Sequence, residues 1–529
     1  MRDLHAAMNP GRGILPLFTL LGAITCATAC AAPGARTHAQ EDHPGCQRIT
    51  ARQCVVLAVV AMGGEKTLAA IHTEQLDMVG HRLLAEQSYQ QAPFLTSYTR
   101  TRRNVDFERG RVADAIQNLW PESDLGSKRA EATYTIVATP DAAVIHGEKG
   151  DRPGPRSSID EARAALELGP ERLLLTAARA PDLHFLPDET LRSTPHAVVA
   201  FQSSGGMVKV LLNGWTHLPD ALEATRSFDD FWFAWGDVRQ RTYFSNWKLV
   251  QGVEFPTTRI EERNGEPWRS TQALDVKFNT GHSDTLFAMD PKAAVQSARA
   301  DRWNIPFSAT THTRLALGID RYQGSWSVTL IRQADGVLVL EAPISPSFVK
   351  GALAKVRAEY PSLPIKGVLT TSDSWPHVAG VREVVAERLP VYALDLNLPI
   401  LKRMVAAPHT LKPDDLQNHP QPAHWIVVSG KREIGTGPNR VVLYPLRGES
   451  TGRQYMVYFP GHQLLYASDT LVLEPGNKLY DPELMHEVMQ AVQRNRLDVK
   501  SVFAMHQGLV SWSRVADLVA AALQGSSPQ

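Results

Sequence analysis

A chain of 529 residues, 43% of them hydrophobic, is long enough to bury two cores, which excludes wholesale disorder. Lys plus Arg and Asp plus Glu both number 55, so no net charge draws the chain onto nucleic acid or an anionic membrane. The expected partner is a small-molecule or lipid-like ligand.

Residues 1–32 have the layout of a secretory signal peptide: Arg2 and Arg12 precede the apolar run "GILPLFTLLGAITCATACAA", which closes on small residues. The run is short for a spanning helix, and an uncleaved anchor is the alternative. Cleavage near Ala32 predicts an exported, periplasmic protein without a transmembrane helix. Cys30 after "ATA" offers a weak lipid-attachment context, with Ala27 where a large aliphatic residue is usual. Past the leader only Cys46 and Cys54 remain, close enough for a local disulfide in an oxidising compartment, with two free thiols as the alternative.

Residues 33–49 read as a polar tether. Thr50 is placed to cap a helix through "ARQCVVLAVVAM", which Gly63 and Gly64 end. Residues 50–290 then read as a mostly antiparallel β domain. Alternating stretches such as "ATYTIVATPDAAVIHG" and "HAVVAFQSSGGMVKVLLNG" are strands joined by tight turns, and Asn264-Gly265 is a hairpin signal. One helical interruption, "SIDEARAALELGPERLLLTAARA", is expected to cover the sheet. Together with "AMGGEKTLAAIHTEQLDMVG", this segment resembles in pattern the curved-sheet domains of lipoprotein-carrier proteins. That resemblance implies a lipid-like ligand. The aromatic cluster "FDDFWFAWGD" reads as core, with the lining of an apolar pocket as the alternative.

Residues 291–307 are expected as a linker. After them the texture alternates between strand and helix: "GSWSVTLIRQADGVLVLEAP" as a hairpin, "PSFVKGALAKVRAEYP" as an amphipathic helix, "IKGVLTT" as a buried strand, and "GVREVVAERLPVYALDL" as helix then strand. Residues 308–523 therefore form a second, layered domain, and 524–529 a tail.

Four signals in a fixed order give that domain its specificity: "TTSDSWPHVAG", "PVYALDLNLPIL", "LYPLRGESTGRQYMVYFPGHQLLYASDTLV" and "VKSVFAMHQGLVSW". In this order the chain resembles the metallo-β-lactamase superfamily, which implies an αββα four-layer sandwich with the site at one edge. The overall fold class expected is thus α+β. The family carries T-H-x-H-x-D-H-x-x-G where this chain has "TTSDSWPHVAG". The first two histidines of that string fall on Ser372 and Ser374, its aspartate on Pro376 and its last histidine on His377. The family's next histidine falls at Glu449, its bridging aspartate at Asp469 and its terminal histidine at His506.

Serine is a poor ligand for zinc or iron and proline offers no side-chain donor, so one of the family's two metal sites should be lost. His377, Asp469 and His506 remain as two imidazoles and a carboxylate, with Glu449 as a candidate fourth ligand. The resemblance implies at most one weakly bound zinc, iron or manganese ion, which would activate water against an ester, amide or phosphoester. The alternative is a non-catalytic binding or scaffold protein derived from such a hydrolase. Each residue alone has an ordinary reading: a helix-start histidine, a turn aspartate, a strand-end histidine. Asp373 is expected to point away from Ser372 and Ser374 in an extended stretch. "SFVK", Ser347 to Lys350, matches the S-x-x-K of penicillin-recognising enzymes, but no K-T-G follows it.

Overall fold

The computed structural model describes residues 42–86, 94–119, 131–297, 305–324, 326–474, 476 and 478–525. The leader, its cleavage region and Cys30 lie outside these residues. The first long helix, Ala51–Ala61, starts where its capping chemistry begins. Thr50 Oγ1 accepts from the Gln53 amide, while Gln53 Oε1 accepts from the Thr50 amide at 2.9 Å, a reciprocal box that satisfies two otherwise orphaned donors. The expected disulfide between Cys46 and Cys54 is present and ties this helix to the short strand before it.

Strands from Thr73–Leu83 to Glu266–Phe278 make a thirteen-stranded antiparallel sheet among the described residues. Its first six strands run outward in order to Gly150–Pro153. The other seven return from His184–Leu191, and the two meanders meet where Thr73–Leu83 pairs with Glu266–Phe278. Asn264 (φ 51°) and Gly265 (φ 85°) form the expected hairpin turn. Gln251 (φ 48°) and Gly252 (φ 85°) form another that the sequence did not announce. The helices Arg156–Leu168 and Pro170–Arg179 supply the predicted cover. Leu173 and Leu174 pack with Phe201, Val210 and Phe255 of the sheet, all essentially fully buried. Each such side chain stabilises the fold by ~1.5–3 kcal/mol. The start of the expected linker is not extended: Pro291–Ser297 is a helix, and Ser297 Oγ accepts the Ala143 amide at 2.9 Å, fastening it to the sheet.

The remainder holds two smaller sheets. One has seven strands, with the first four antiparallel from His312–Ala316 to Gly336–Leu340. Then Ile365–Thr370, Pro390–Leu394 and His424–Val428 join in parallel. The parallel crossings need intervening helices, supplied by Pro346–Glu359 and Val381–Ala386. The other sheet has six strands, from Arg432–Ile434 to Val510–Ser511. Leu340 and Leu369 of the first share a core with Tyr455, Phe459 and Phe503 of the second. Helix residues Phe348 and Leu353 pack with Val339 and Val368 of the seven-stranded sheet. Met485 and Val488 of the helix Pro482–Arg494 pack with Leu465 and Val502 of the six-stranded one. The protein is thus mixed α+β with large antiparallel sheets.

The aromatic cluster stitches the early and late parts of the chain. Asp230 caps the turn Phe231–Trp235 by accepting the Trp232 amide at 2.9 Å. Trp232 and Trp235 then meet Trp375 edge-on, at centroid distances of 4.7 and 5.4 Å. Two residues further, Asp237 accepts from the amides of Thr410 and Leu411 and the Thr410 hydroxyl, at 2.6–2.9 Å. Its reading as core is what the structure shows for Trp232 and Trp235, both buried.

Candidate metal centre

The strand Ile365–Thr370 is buried along its second half, and the chain leaves it in a run of buried polar residues, Thr371, Ser372 and Asp373. Such groups must find partners or cost several kcal/mol each, and all do. Thr371 is the hub. Its hydroxyl contacts Glu341 Oε1 and lies 2.7 Å from the Ser468 hydroxyl, and its amide donates to Glu341 Oε2 at 3.3 Å. Tyr466 donates to Glu341 Oε1 at 3.1 Å. Backbone bonds extend the knot, from Tyr455 N to Thr371 O and from Met505 N to Ser468 O.

Glu341 therefore ties together the ends of the strands Gly336–Leu340, Ile365–Thr370 and Leu464–Tyr466, whose following loops supply His377 and Asp469. The backbone accepts strain to do so, since Glu341 (φ 77°), Ile344 (φ 70°) and Ser468 (φ 54°) are left-handed without being glycine. Burial pushes the Glu341 carboxyl up to about 7, against the lowering influence of His377 and the Thr371 and Tyr466 hydrogen bonds.

From this scaffold His377, Asp469 and His506 converge. Their donor atoms all lie within 4.8 Å of one another. His377 Nε2 is 3.2 Å from Asp469 Oδ2, His506 Nε2 is 3.2 Å from Asp469 Oδ1, and the two imidazoles cross at 76°. His377 is buried, Asp469 partly so, and His506 faces solvent. Burial alone would raise Asp469, but the charge of His377 and the hydrogen bonds from both imidazoles hold it well below the usual carboxylate range. Burial would likewise lower His377, and Asp469 reverses that, raising it.

These residues fit one cation: two imidazoles and a carboxylate suit zinc, iron or manganese, and one donor atom from each lies within 4.8 Å of the others. His377 Nδ1 is buried with no hydrogen-bond partner among the described residues, so its ring orientation is set from the Asp469 side.

The other residues singled out in the sequence are not brought to this point. Glu449 is exposed on its loop and is not part of the cluster. Ser372 Oγ accepts the Ser374 amide at 3.1 Å, and Ser374 Oγ donates to the Glu86 carbonyl at 3.3 Å. Pro376 is buried in the short helix Trp375–Val378. Asp373 is buried and clasped by Arg453, whose Nε donates at 2.7 Å and whose Nη2 also contacts the same oxygen. Burial still pushes this carboxyl up to about 6, with Arg453 acting in the opposite sense. Lys350 of the "SFVK" string pairs outward with Asp415 at 2.5 Å, while Ser347 meets Ser345 at 3.0 Å.

Sequence reasoning missed Glu341 and Arg453. For Glu341 a signal existed: an acid directly after the wholly apolar strand "GVLVL" cannot be solvated by its neighbours and must be buried with partners. An aromatic face adjoins the exposed ligand, since Trp326 lies edge-on to His506 at 6.0 Å and Phe231 to Trp326 at 6.3 Å.

No protein-family model matches the chain, and neither does any curated protein. Among solved structures the chain is similar to TMB-1, at 14% identity and a TM-score of 0.33 over 42% of this chain and 100% of that one. It is similar to a metallo-β-lactamase from Pontibacter korlensis, at 14% identity and a TM-score of 0.32 over 40% and 98% of the two chains. The sec-alkylsulfatase Pisa1 from Pseudomonas sp. follows, at 12% identity and a TM-score of 0.31 over 44% and 43%. At such values the functional reading has to stand on side-chain geometry alone. Each of these likenesses covers about two-fifths of this chain.

Proposed function

We propose that this protein is an exported hydrolase working with a single metal ion, a zinc, iron or manganese held by His377, Asp469 and His506. The carrying observation is the convergence of these residues from three separate segments, 92 residues apart from His377 to Asp469 and 37 from there to His506, onto one point within 4.8 Å. When bound, the ion would lower the pKa of a coordinated water and so supply hydroxide at neutral pH. The chain's own part is to hold that centre. Asp469 is kept anionic, Glu341 and Ser468 fix the loop that carries it, and Trp326 and Phe231 present an apolar wall beside the exposed His506. An ester, amide or phosphoester with an apolar substituent fits this wall. The family's four-layer αββα arrangement agrees with the shared core of the two small sheets and the helices packed outside each.

Export is part of the same reading. The Cys46–Cys54 disulfide belongs in an oxidising compartment, and no helix among the described residues is long and apolar enough to cross a membrane. Periplasmic residence follows from a cleaved leader, with attachment through Cys30 as the variant.

Activity tests the proposal. Metal-free protein reconstituted separately with zinc, manganese or ferrous iron should hydrolyse at least one of p-nitrophenyl acetate, a p-nitroanilide and bis-p-nitrophenyl phosphate, and His506→Ala should abolish that turnover. A folded wild type with no metal-dependent turnover on any of them would favour the second reading, a retired hydrolase acting as a binding or scaffold protein.

A further inference from the structure

The large sheet holds a second, chemically different cavity. It lies between the helix Arg156–Leu168 and the sheet strands, with a volume of about 110 Å³. A neighbouring cavity of about 200 Å³ shares Asp160, Ala164, Leu168 and Arg226 with it, so the two adjoin across Arg226.

Five arginines line the inner cavity, and three have carboxylates of their own. Arg103 pairs with Asp114 at 2.7 Å, Arg263 with Asp230 at 2.7 Å, and Arg269 with Glu161 and Glu261 at 3.2 and 3.0 Å. Arg226 and Arg259 differ. Arg226 Nε is buried and has no hydrogen-bond partner among the described residues. The acids around it, Asp160, Glu161, Glu167 and Glu261, act on it only through charge. Arg259 faces Glu74 and Glu171 in the same way. Those two carboxyls lie against each other, and burial pushes both of them up.

A buried guanidinium without a partner costs several kcal/mol, and evolution usually spends that on a ligand or an exact carboxylate. Arg226 Nε is buried in this way, and the half-buried Arg259 lines the same cavity, in which Leu168, Leu222 and Phe244 supply apolar wall beside Asp160, Glu161 and Glu261. We propose that this cavity is a binding site for a small organic oxyanion, whose carboxylate or phosphoryl group is clasped by Arg226 and Arg259. Both forks present parallel N–H donors that match either oxygen array. The inner volume is smaller than the ~150 Å³ cavity that accommodates benzene. It therefore takes the head group and a short apolar body, and anything longer extends past Arg226 into the outer cavity, whose rim carries the exposed Lys412. The site is built wholly from the large sheet and its helical cover apart from that rim, and it stands independently of the metal centre.

Isothermal titration of the mature chain with sodium phosphate and, separately, sodium acetate tests it, with sodium chloride at matched ionic strength as the blank. Saturable binding of either anion at one site per chain is expected, weakened at least tenfold in Arg226→Gln and Arg259→Gln. Binding of phosphate alone assigns a phosphoryl ligand, and binding of acetate alone a carboxylate. If either Gln variant fails to fold, the Lys variant at the same position, Arg226→Lys or Arg259→Lys, replaces it, which keeps the charge while losing the fork and should still weaken binding. No saturable heat with either anion on the wild type, or affinities unchanged in folded variants, would overturn the proposal.

Discussion

The two halves of the candidate centre solve the same burial problem in opposite ways. On one side His377, Asp469 and His506 keep donor atoms turned toward a common point. On the other, Ser372 and Ser374 spend their hydroxyls on the backbone, and Asp373 is neutralised by Arg453. A carboxylate pointing into an interior needs a positive charge, and a guanidinium provides one as permanently as a bound cation does. The comparison teaches that the serine side holds no unsatisfied polarity: its hydroxyls and carboxylate are tied into hydrogen bonds and one ion pair, which hold the segment leading to His377.

If that is so, the largest effect should come from breaking the substitute ion pair. Arg453→Met leaves Asp373 buried and unpaired and should destabilise the fold by ~3–5 kcal/mol, whereas the double variant Arg453→Met with Asp373→Leu should recover much of the loss. Denaturant unfolding followed by circular dichroism measures both. A single variant as stable as the wild type would break the comparison.

The next test concerns the knot shared by both halves. Burial raises Glu341 from 4.5 to about 7, so between these values the folded chain holds a proton that the unfolded chain has released. Stability contributed by this group is therefore present below that window and lost as pH rises through it, by on the order of 3 kcal/mol. Comparing metal-free wild type with Glu341→Gln across the window isolates the term, and the variant should lack that part of the slope. Parallel pH profiles would show that Glu341 is charged in the folded chain.

A gain of function sharpens the contrast further. Pro376 stands where the family resemblance places an aspartate, and Pro376→Asp should strengthen metal binding roughly tenfold, about 1.4 kcal/mol, measured by competition with a chromogenic chelator. Unchanged affinity in a folded variant would show that position 376 does not reach the cluster. The smallest effect belongs to Ser374→Ala, which removes one hydrogen bond to the Glu86 carbonyl and should cost about 1 kcal/mol, readable as a lowered thermal midpoint with metal affinity intact.

Much of the fold could be read from local pattern. Thr50, Asn264-Gly265 and the apolar alternation of the sheet each act over a few residues, and each appears where the spacing puts it. The helix Pro291–Ser297 was missed because its pattern is short and its anchor, the Ala143 amide, lies 154 residues away. The candidate ligands were legible through the order of motifs, which stands in for distance. What no spacing could reveal was the support beneath them: Glu341 meets Thr371 across 30 residues and Tyr466 across 125, and Arg453 meets Asp373 across 80. Glu449 shows the reverse case, a residue well placed by motif order whose side chain stays in solvent.

Metal stoichiometry tests the central claim most directly. Equilibrium dialysis of the wild type against buffered zinc, followed by elemental analysis, should approach one zinc per chain, and Asp469→Ala, with folding confirmed, should bind none. Two zinc ions per wild-type chain, or one retained undiminished in the folded Asp469→Ala variant, would contradict the assignment of a single centre to His377, Asp469 and His506.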